Sequence, residues 1–335
     1  MREKTSHLYR VTGHVLAAAM LLLAAQAVLA QPGAWKPEKN VEIVASSAVG
    51  GGNDATARFI RELFRNKRFI PTSSSVVNRP GGGGAEAWAY LNRHAGDGHY
   101  LAISVSTLLS NRITGADALG HTDVTPITTL SREYILTAVR RDSPIKTGRD
   151  LAARLRQDTA SVSIGFAPAL GNNNHIAAAL LARAAGGDAR KLRIVVYETG
   201  SKAAAAVTAG QVDAVFAAAG TILRQARTEN LRLVGLTAPR RLGTPLAGVP
   251  TWKEQGYDVV FSGWRGIVGP RGMTPAQVAY WEDVLLKLSF DDDWIDDLRK
   301  QSWDGVYLNS SETRKFLEAQ YTLMKNVLTD LGLAR

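Results

Sequence analysis

A glycine-rich loop, Gly50-Gly51-Gly52-Asn53-Asp54, has the residue types of an anion-binding site. It follows the apolar run at 41–45 and precedes apolar residues at helical spacing from 55 to 64, which predicts a strand before it and a helix after it. The start of a helix presents free N–H groups, and glycines let a ligand approach the backbone closely. We predict that these amides hold an anion, with Asn53 or Asp54 capping the helix. A tight turn with nothing bound is the alternative.

A second loop, Gly171-Asn172-Asn173-Asn174-His175, also stands between a predicted strand and a predicted helix. Asparagines supply side-chain donors and good N-caps, and they tolerate left-handed backbone. His175, at the start of the helix, could contact an anionic ligand or be an ordinary surface histidine. The loop is therefore a second candidate binding segment, and a capped helix with solvated amides is the alternative.

A nicotinamide dinucleotide is a weaker interpretation of the first loop. Gly50, Gly52 and Ala55 satisfy a G-x-G-x-x-A pattern after a strand, but the acidic residue expected at the end of the next strand is missing. Arg79, in that region, could suit a 2′-phosphate. The motif alone is too weak to predict a cofactor, and we expect none.

Signals of catalysis and of metal binding are poor. The chain has no cysteine and no G-x-S-x-G, H-E-x-x-H or S-x-x-K motif, and the histidines at 94, 99, 121 and 175 show no metal-ligand spacing. The acidic cluster at 291–297 is better explained as an acidic first helical turn than as a cation site. We therefore predict no catalytic residue and no metal site.

The elements that must position these loops repeat one pattern of strand, glycine or serine loop, and helix. Strands are predicted at 41–45, 73–77, 100–105, 161–165, 194–197, 212–216 and 231–237, and two long helices, 274–288 and 313–331, close the chain. Thr274-Pro275 is typical of an N-cap followed by the first helical residue. Such alternation predicts an α/β fold with a largely parallel sheet, in two units that divide near 135–145.

Charge and the N-terminus indicate where the protein works. The 335 residues have a net charge of +10, but the basic residues are dispersed, which does not predict nucleic-acid binding. Basic residues in the first ten positions, an apolar run at 15–23 and small residues up to Ala30 form a secretory signal. We predict cleavage at Ala30-Gln31 and a periplasmic protein. An uncleaved anchor is the alternative, but the apolar run is shorter than the roughly 20 residues that span a bilayer.

Several motifs, in this order and spacing, resemble one known family. They occupy 50–54, 77–84, 97–100, 123–127, 210–213, 249–257, 263–266 and 269–275. Together they resemble the periplasmic solute-binding component of tripartite tricarboxylate transporters, also called the Bug family. The stretch 106–115 looks more like the tricarboxylate-type branch than the amino-acid-binding branch.

The resemblance implies a two-domain periplasmic-binding-protein fold of type II-like form, each domain a mostly parallel sheet flanked by helices. Domain 1 would be 31–136 with 240–335, and domain 2 would be 137–239, with the ligand closed between them. It implies a monomer that captures a di- or tricarboxylate such as citrate for a membrane permease. A ligand sensor without a permease and a periplasmic hydrolase are the alternatives.

The resemblance also implies that amides and ordered water at loops 47–54 and 167–175 hold a carboxylate, and that other residues line the cleft, namely Ser106, Thr107, Ser201 and Gly220. Three departures from the family pattern concern the ligand. The first loop has Ser-Ser-Ala-Val at 46–49, where members of the family commonly have Pro-Phe-Pro-Ala. The second loop has Asn173, where Gly or Pro is commoner in the family. Glu198 occupies a position where the family frequently has Lys. An acid at 198 could repel a polycarboxylate or select an amine.

Overall fold

The computed structural model describes residues 35–226 and 230–335, so the predicted signal segment and its cleavage site lie outside the described residues. Residues 37–335 form one compact unit. The division of the chain into two domains stays a prediction. No helix within the described ranges is both long and apolar enough to cross a bilayer.

The described residues contain ten strands: β1 (Val41–Ala45), β2 (Ser74–Asn78), β3 (Tyr100–Ser104), β4 (Val124–Arg140), β5 (Ser163–Phe166), β6 (Arg193–Val196), β7 (Ala214–Ala218), β8 (Leu231–Leu236), β9 (Ser262–Pro270) and β10 (Asp304–Leu308). They form one continuous sheet in the order β2-β1-β3-β9-β4-β7-β5-β6, with β8 and β10 also paired to β4. The α/β class is confirmed. The sheet is mixed, because only its outer pairs are parallel and every pair that includes β4 or β9 is antiparallel.

Strand β4 joins the two halves of the sheet. Its first part pairs with β9 and β10, and its last part pairs with β7 and β8. Along it, Glu133 lies opposite Gly263 of β9, and Ile135 lies opposite Ala218 of β7. The middle of β4 is therefore the place where the two halves meet.

Ten α-helices flank the sheet in the described residues: α1 (Gly52–Asn66), α2 (Ala85–Asn92), α3 (Thr107–Thr114), α4 (Gly148–Gln157), α5 (Asn173–Ala184), α6 (Gly200–Thr208), α7 (Ala219–Ala226), α8 (Pro275–Ser289), α9 (Asp292–Gln301) and α10 (Ser310–Asp330). Thr274 caps α8, with Pro275 in its first turn, as predicted. The acidic cluster begins α9: Asp291 is its N-cap, and Asp292 and Asp293 lie in its first turn. Acids at that end favour the helix dipole.

The largest buried side chains fix the strand ends from which the binding loops emerge. One cluster packs Phe166 at the end of β5 with Ile176 and Leu181 of α5, and it continues to Trp264 of β9. A second packs Val44 of β1 with Trp88 of α2. Burying such side chains stabilises the fold by about 1.5–3 kcal/mol each. The loops after β1, β3 and β5 therefore emerge from rigid supports.

Candidate functional site

A cavity of about 420 Å³ lies where the loops after β3 and β5 meet the middle of β4. Its polar lining includes five predicted site residues, Ser106, Thr107, Asn172, Asn173 and Asn174, and its apolar lining includes Ile135, Leu170 and Ala218. Glu133 is the one ionisable side chain among the described lining residues. A larger cavity, of about 810 Å³, lies between α5 and α10 away from these loops. Ligand sites in open α/β sheets lie at the carboxyl ends of strands, which favours the smaller cavity.

Among the thirteen buried side-chain polar atoms without a partner in the described residues, the Thr107 hydroxyl belongs to a residue that lines the cavity. Its Oγ1 is buried without a hydrogen-bond partner in the described protein, although the residue lines the cavity. Leaving a buried polar atom unpaired costs about 1–3 kcal/mol, so native proteins seldom do so without a reason. A ligand in the cavity would supply the missing partner.

The first predicted loop, 50–54, does not line the cavity, although Ser46, shortly before it, and the cavity residue Thr107 both lie within 3.4 Å of the position that a Cβ on Gly84 would take. The Asp54 carboxylate is buried and accepts from three groups: the Gly50 amide, Arg58 Nε and Asn78 Nδ2, each at 2.9 Å. The hydrogen bond from Arg58 is the largest cause that lowers the pKa of Asp54, which is about 2. Asp54 therefore orders the loop from the first turn of α1.

Two expectations about this loop need correction. Gly51 occupies the N-cap position of α1, so neither Asn53 nor Asp54 is the cap, and Ser47 Oγ accepts from the Asp54 amide at 3.1 Å. The amides of Gly50 and Gly51 are also occupied, because they donate to Asp54 and to the carbonyl of Ala48. The amides still available to an anion are those of Gly52 and Asn53, in the first turn, where a helix supplies no intrahelical acceptor.

Two of the three asparagines in the second predicted loop, 171–175, form side-chain hydrogen bonds to nearby backbone groups. Asn172 caps α5, since its Oδ1 accepts from the amides of Asn174 and His175 at 2.9 Å. The side-chain amides of Asn172 and Asn174 both donate to the carbonyl of Ala167. Asn173 Nδ2 instead lies beside Gly263, 2.8 Å from the position that a Cβ there would take. All three asparagines line the cavity, and Asn172 and Asn174 each keep a second side-chain N–H beside the one that bonds to Ala167.

His175 belongs to the packing of this loop. It is 5% exposed, its ring stacks on Phe166 at 5.0 Å, and its Nδ1 accepts from the Gly171 amide at 3.0 Å. Burial lowers the pKa of His175 to about 4, so the ring is neutral at pH 7. His175 packs inside the loop and is not among the residues that line the cavity, and its predicted ligand contact stays a prediction.

The remaining predicted residues lie outside the cavity lining. Ser201 is exposed near the start of α6. Gly220 packs against α9, where a Cβ would come within 2.5 Å of the Gln301 carbonyl oxygen, so its small size serves packing. Glu198 is exposed and pairs with Lys202, and it therefore does not act on a ligand in this cavity. The acid that does line the cavity, Glu133, was missed because β4 was not predicted.

The arrangement is that of a small-molecule-binding protein: strand-end loops from both halves of one sheet enclose hydroxyl and amide groups around a cavity. In the described residues no group of three or more acidic or histidine side chains could hold a metal ion. The sequence profile of the tripartite tricarboxylate transporter family receptors matches residues 60–333. The chain belongs to this family, whose members are periplasmic solute receptors.

Individual relatives agree with this assignment. A protein of Cupriavidus necator named "UPF0065 protein in gbd 5'region" is 25% identical over 98% of each chain. The fold resembles a TctC solute-binding protein from Polaromonas, with a TM-score of 0.79 and 23% identity over 88% of this chain and 99% of that one. It also resembles an R. palustris protein solved with adipate, with a TM-score of 0.70 and 22% identity over 89% and 99% of the two chains.

Proposed function

We propose that this protein captures a small organic carboxylate in the cavity beside β4 and delivers it to a membrane permease of the tripartite tricarboxylate type. The observation that carries the proposal is the orphaned hydroxyl of Thr107 in a cavity at the strand ends. Membership of the receptor family supports it, and so does the adipate held by the R. palustris neighbour. A cavity of about 420 Å³ suits one small molecule.

The carboxylate would be held by hydroxyl and amide donors. Thr107, Asn173 and the free first-turn amides of α1 are such donors, and each hydrogen bond to a charged group contributes about 1.5–3 kcal/mol. We expected a di- or tricarboxylate such as citrate. The described lining has an acid and no base, so a ligand of low charge is favoured over citrate.

Binding would close the protein. In this proposal the two predicted domains, 31–136 with 240–335 and 137–239, move together about the segments that connect them, because the ligand makes contacts with both only when they are closed. Small-angle scattering should then show a smaller radius of gyration at saturating ligand. An unchanged radius, with binding measured by calorimetry, would count against closure.

The first experiment is to identify the ligand by mass spectrometry after denaturing freshly purified protein. The second compares Thr107→Val with Thr72→Val by calorimetry against that ligand. Both hydroxyls are buried and unpaired, but Thr72 is outside the cavity. Thr107→Val should weaken binding about 10- to 100-fold, the equivalent of one hydrogen bond to a charged group, while Thr72→Val should leave it unchanged. Equal effects of the two changes would place the site elsewhere.

A further inference from the structure

Two charged side chains lie on the same face of the β4–β9 pair, and one of them, Glu133, lines the cavity. Glu133 of β4 is opposite Gly263 of β9, and Arg265 follows Gly263 by two positions. Residues two apart on a strand share a face, so the two side chains are diagonal neighbours, a relation that usually lets opposite charges interact. Neither one forms an ion pair within 4.0 Å in the described protein, where fourteen other such contacts occur.

One indole holds both charges. Trp303 Nε1 donates to Glu133 Oε1 at 3.0 Å, and the guanidinium carbon of Arg265 lies 4.8 Å from the centroid of the Trp303 ring. The ring edge thus binds the carboxylate and its face attracts the cation. This arrangement occupies one oxygen of Glu133 and leaves Oε2, beside Gly263 and the Asn173 amide, for another donor.

Arg265 is directed toward the first loop. Its Nη2 lies 3.6 Å from the position that a Cβ on Gly52 would take, and Gly52 begins α1. Its Nη1 donates to the carbonyl of Trp264 at 3.1 Å, and its Nε is buried without a partner. A partly buried guanidinium with an unpaired N–H beside a helix start has the donors that a carboxylate requires.

Burial lowers the pKa of Arg265, and the nearby Glu133 carboxylate raises it. The two charges therefore interact across the β4–β9 strand pair. Neither has a partner of opposite charge within 4.0 Å, although Trp303 contacts both, and a charge that is partly buried without an opposite charge is costly. A molecule with a negative group near Arg265 and a positive group near Glu133 would satisfy both at once. A second carboxylate would instead meet the Glu133 carboxylate, the one ionisable side chain among the described lining residues.

We propose that Glu133 is a specificity-determining residue that binds a cationic amino group of the ligand, while Arg265 and the first turn of α1 bind its carboxylate. The preferred ligand is then an amino-carboxylate and not a di- or tricarboxylate. The proposal rests on the function proposed above and specifies the ligand class of that same site. Glu133, and not the exposed Glu198, supplies the acid that selects an amine.

The test measures affinities by calorimetry for ω-amino carboxylates of two to six carbons and for dicarboxylates of matched length, such as 5-aminopentanoate against adipate. Wild-type protein should prefer the best amino-carboxylate over its matched dicarboxylate by at least about 10-fold, a difference of 1.4 kcal/mol. Glu133→Gln keeps the shape and removes the charge, and it should reduce that preference to within about 3-fold. Glu198→Gln, the matched exposed control, should keep the full preference.

The outcomes separate the two proposals. Preference of the wild-type protein for dicarboxylates overturns the role of Glu133 and leaves carboxylate capture intact, and this comparison needs no variant to fold. If folded Glu133→Gln keeps the full preference for the amino-carboxylate over the matched dicarboxylate, the proposed role of Glu133 is also overturned. Failure of every carboxylate in the panel to bind overturns the proposed function itself. Arg265→Gln should weaken both ligand classes by at least 10-fold, and an unchanged affinity there would remove Arg265 from the site.

Discussion

Replacing Asp54 with asparagine should lower the free energy of unfolding by on the order of 2 kcal/mol at pH 7. The buried carboxylate accepts hydrogen bonds from the Gly50 amide, Arg58 and Asn78, and Asn78 also donates to the Ser47 carbonyl at 2.9 Å. These bonds lower the pKa of Asp54 from 3.8 to about 2. A difference of roughly two pKa units, at 1.36 kcal/mol for each unit, gives the stated magnitude.

The dependence on pH gives the prediction a second test. Because the pKa of Asp54 is lower in the folded chain, its contribution is complete above the unfolded value of 3.8 and is lost as pH falls through about 2. The difference in unfolding free energy between wild type and Asp54→Asn should therefore be constant from pH 7 to pH 5. It should narrow as the pH falls from about 4 toward 2.

Urea unfolding, followed by tryptophan fluorescence at several pH values, measures this difference. The control is Asp283→Asn, because Asp283 also pairs with a base four residues later, Lys287, but both side chains are about 60% exposed. Exposed pairs of this kind contribute roughly 0–1 kcal/mol, so the control should change little. Equal effects at Asp54 and Asp283, or an Asp54 effect that does not narrow in acid, would refute the reasoning.

Three further predictions concern the first loop, the buried histidine and the N-terminus. Gly51→Ala should destabilise the protein by about 1–3 kcal/mol in urea unfolding, because the new Cβ would lie 2.7 Å from Ser47 Oγ, whereas Gly243→Ala, with no atom within 4 Å, should be neutral. The free energy of unfolding should decrease as the pH is lowered from about 6.5 to about 4, because in this range the unfolded chain binds a proton at His175 and the folded chain does not. In unfolding curves measured across this range, His175→Gln should reduce this dependence on pH. Intact-mass analysis of the protein from the cell envelope should show the loss of residues 1–30. Retention of those residues in the major species would contradict export with cleavage.

The sequence by itself determined the local elements. Strand β1 was predicted to the residue, and α1, α8 and α10 were placed within a few residues of their ends. These segments have regular apolar spacing and are bounded by glycines, asparagines or a capping threonine, and such signals act over one or two turns of chain. The order of the motifs also predicted the family, which was confirmed.

Only the tertiary structure decided the sheet pairing and the charges at the site. Strands β4 and β9 cross between the two halves as antiparallel neighbours, and neither was predicted, because apolar spacing reports burial and not the partner of a strand. The contacts at the proposed site join Glu133, Arg265 and Trp303, which lie up to 170 positions apart in the sequence. Trp303 follows helix α9, of which only the acidic first turn was predicted. Asp54 likewise owes its low pKa partly to Asn78, 24 residues away. Long-range pairing creates such contacts, and no local pattern of residue types encodes them.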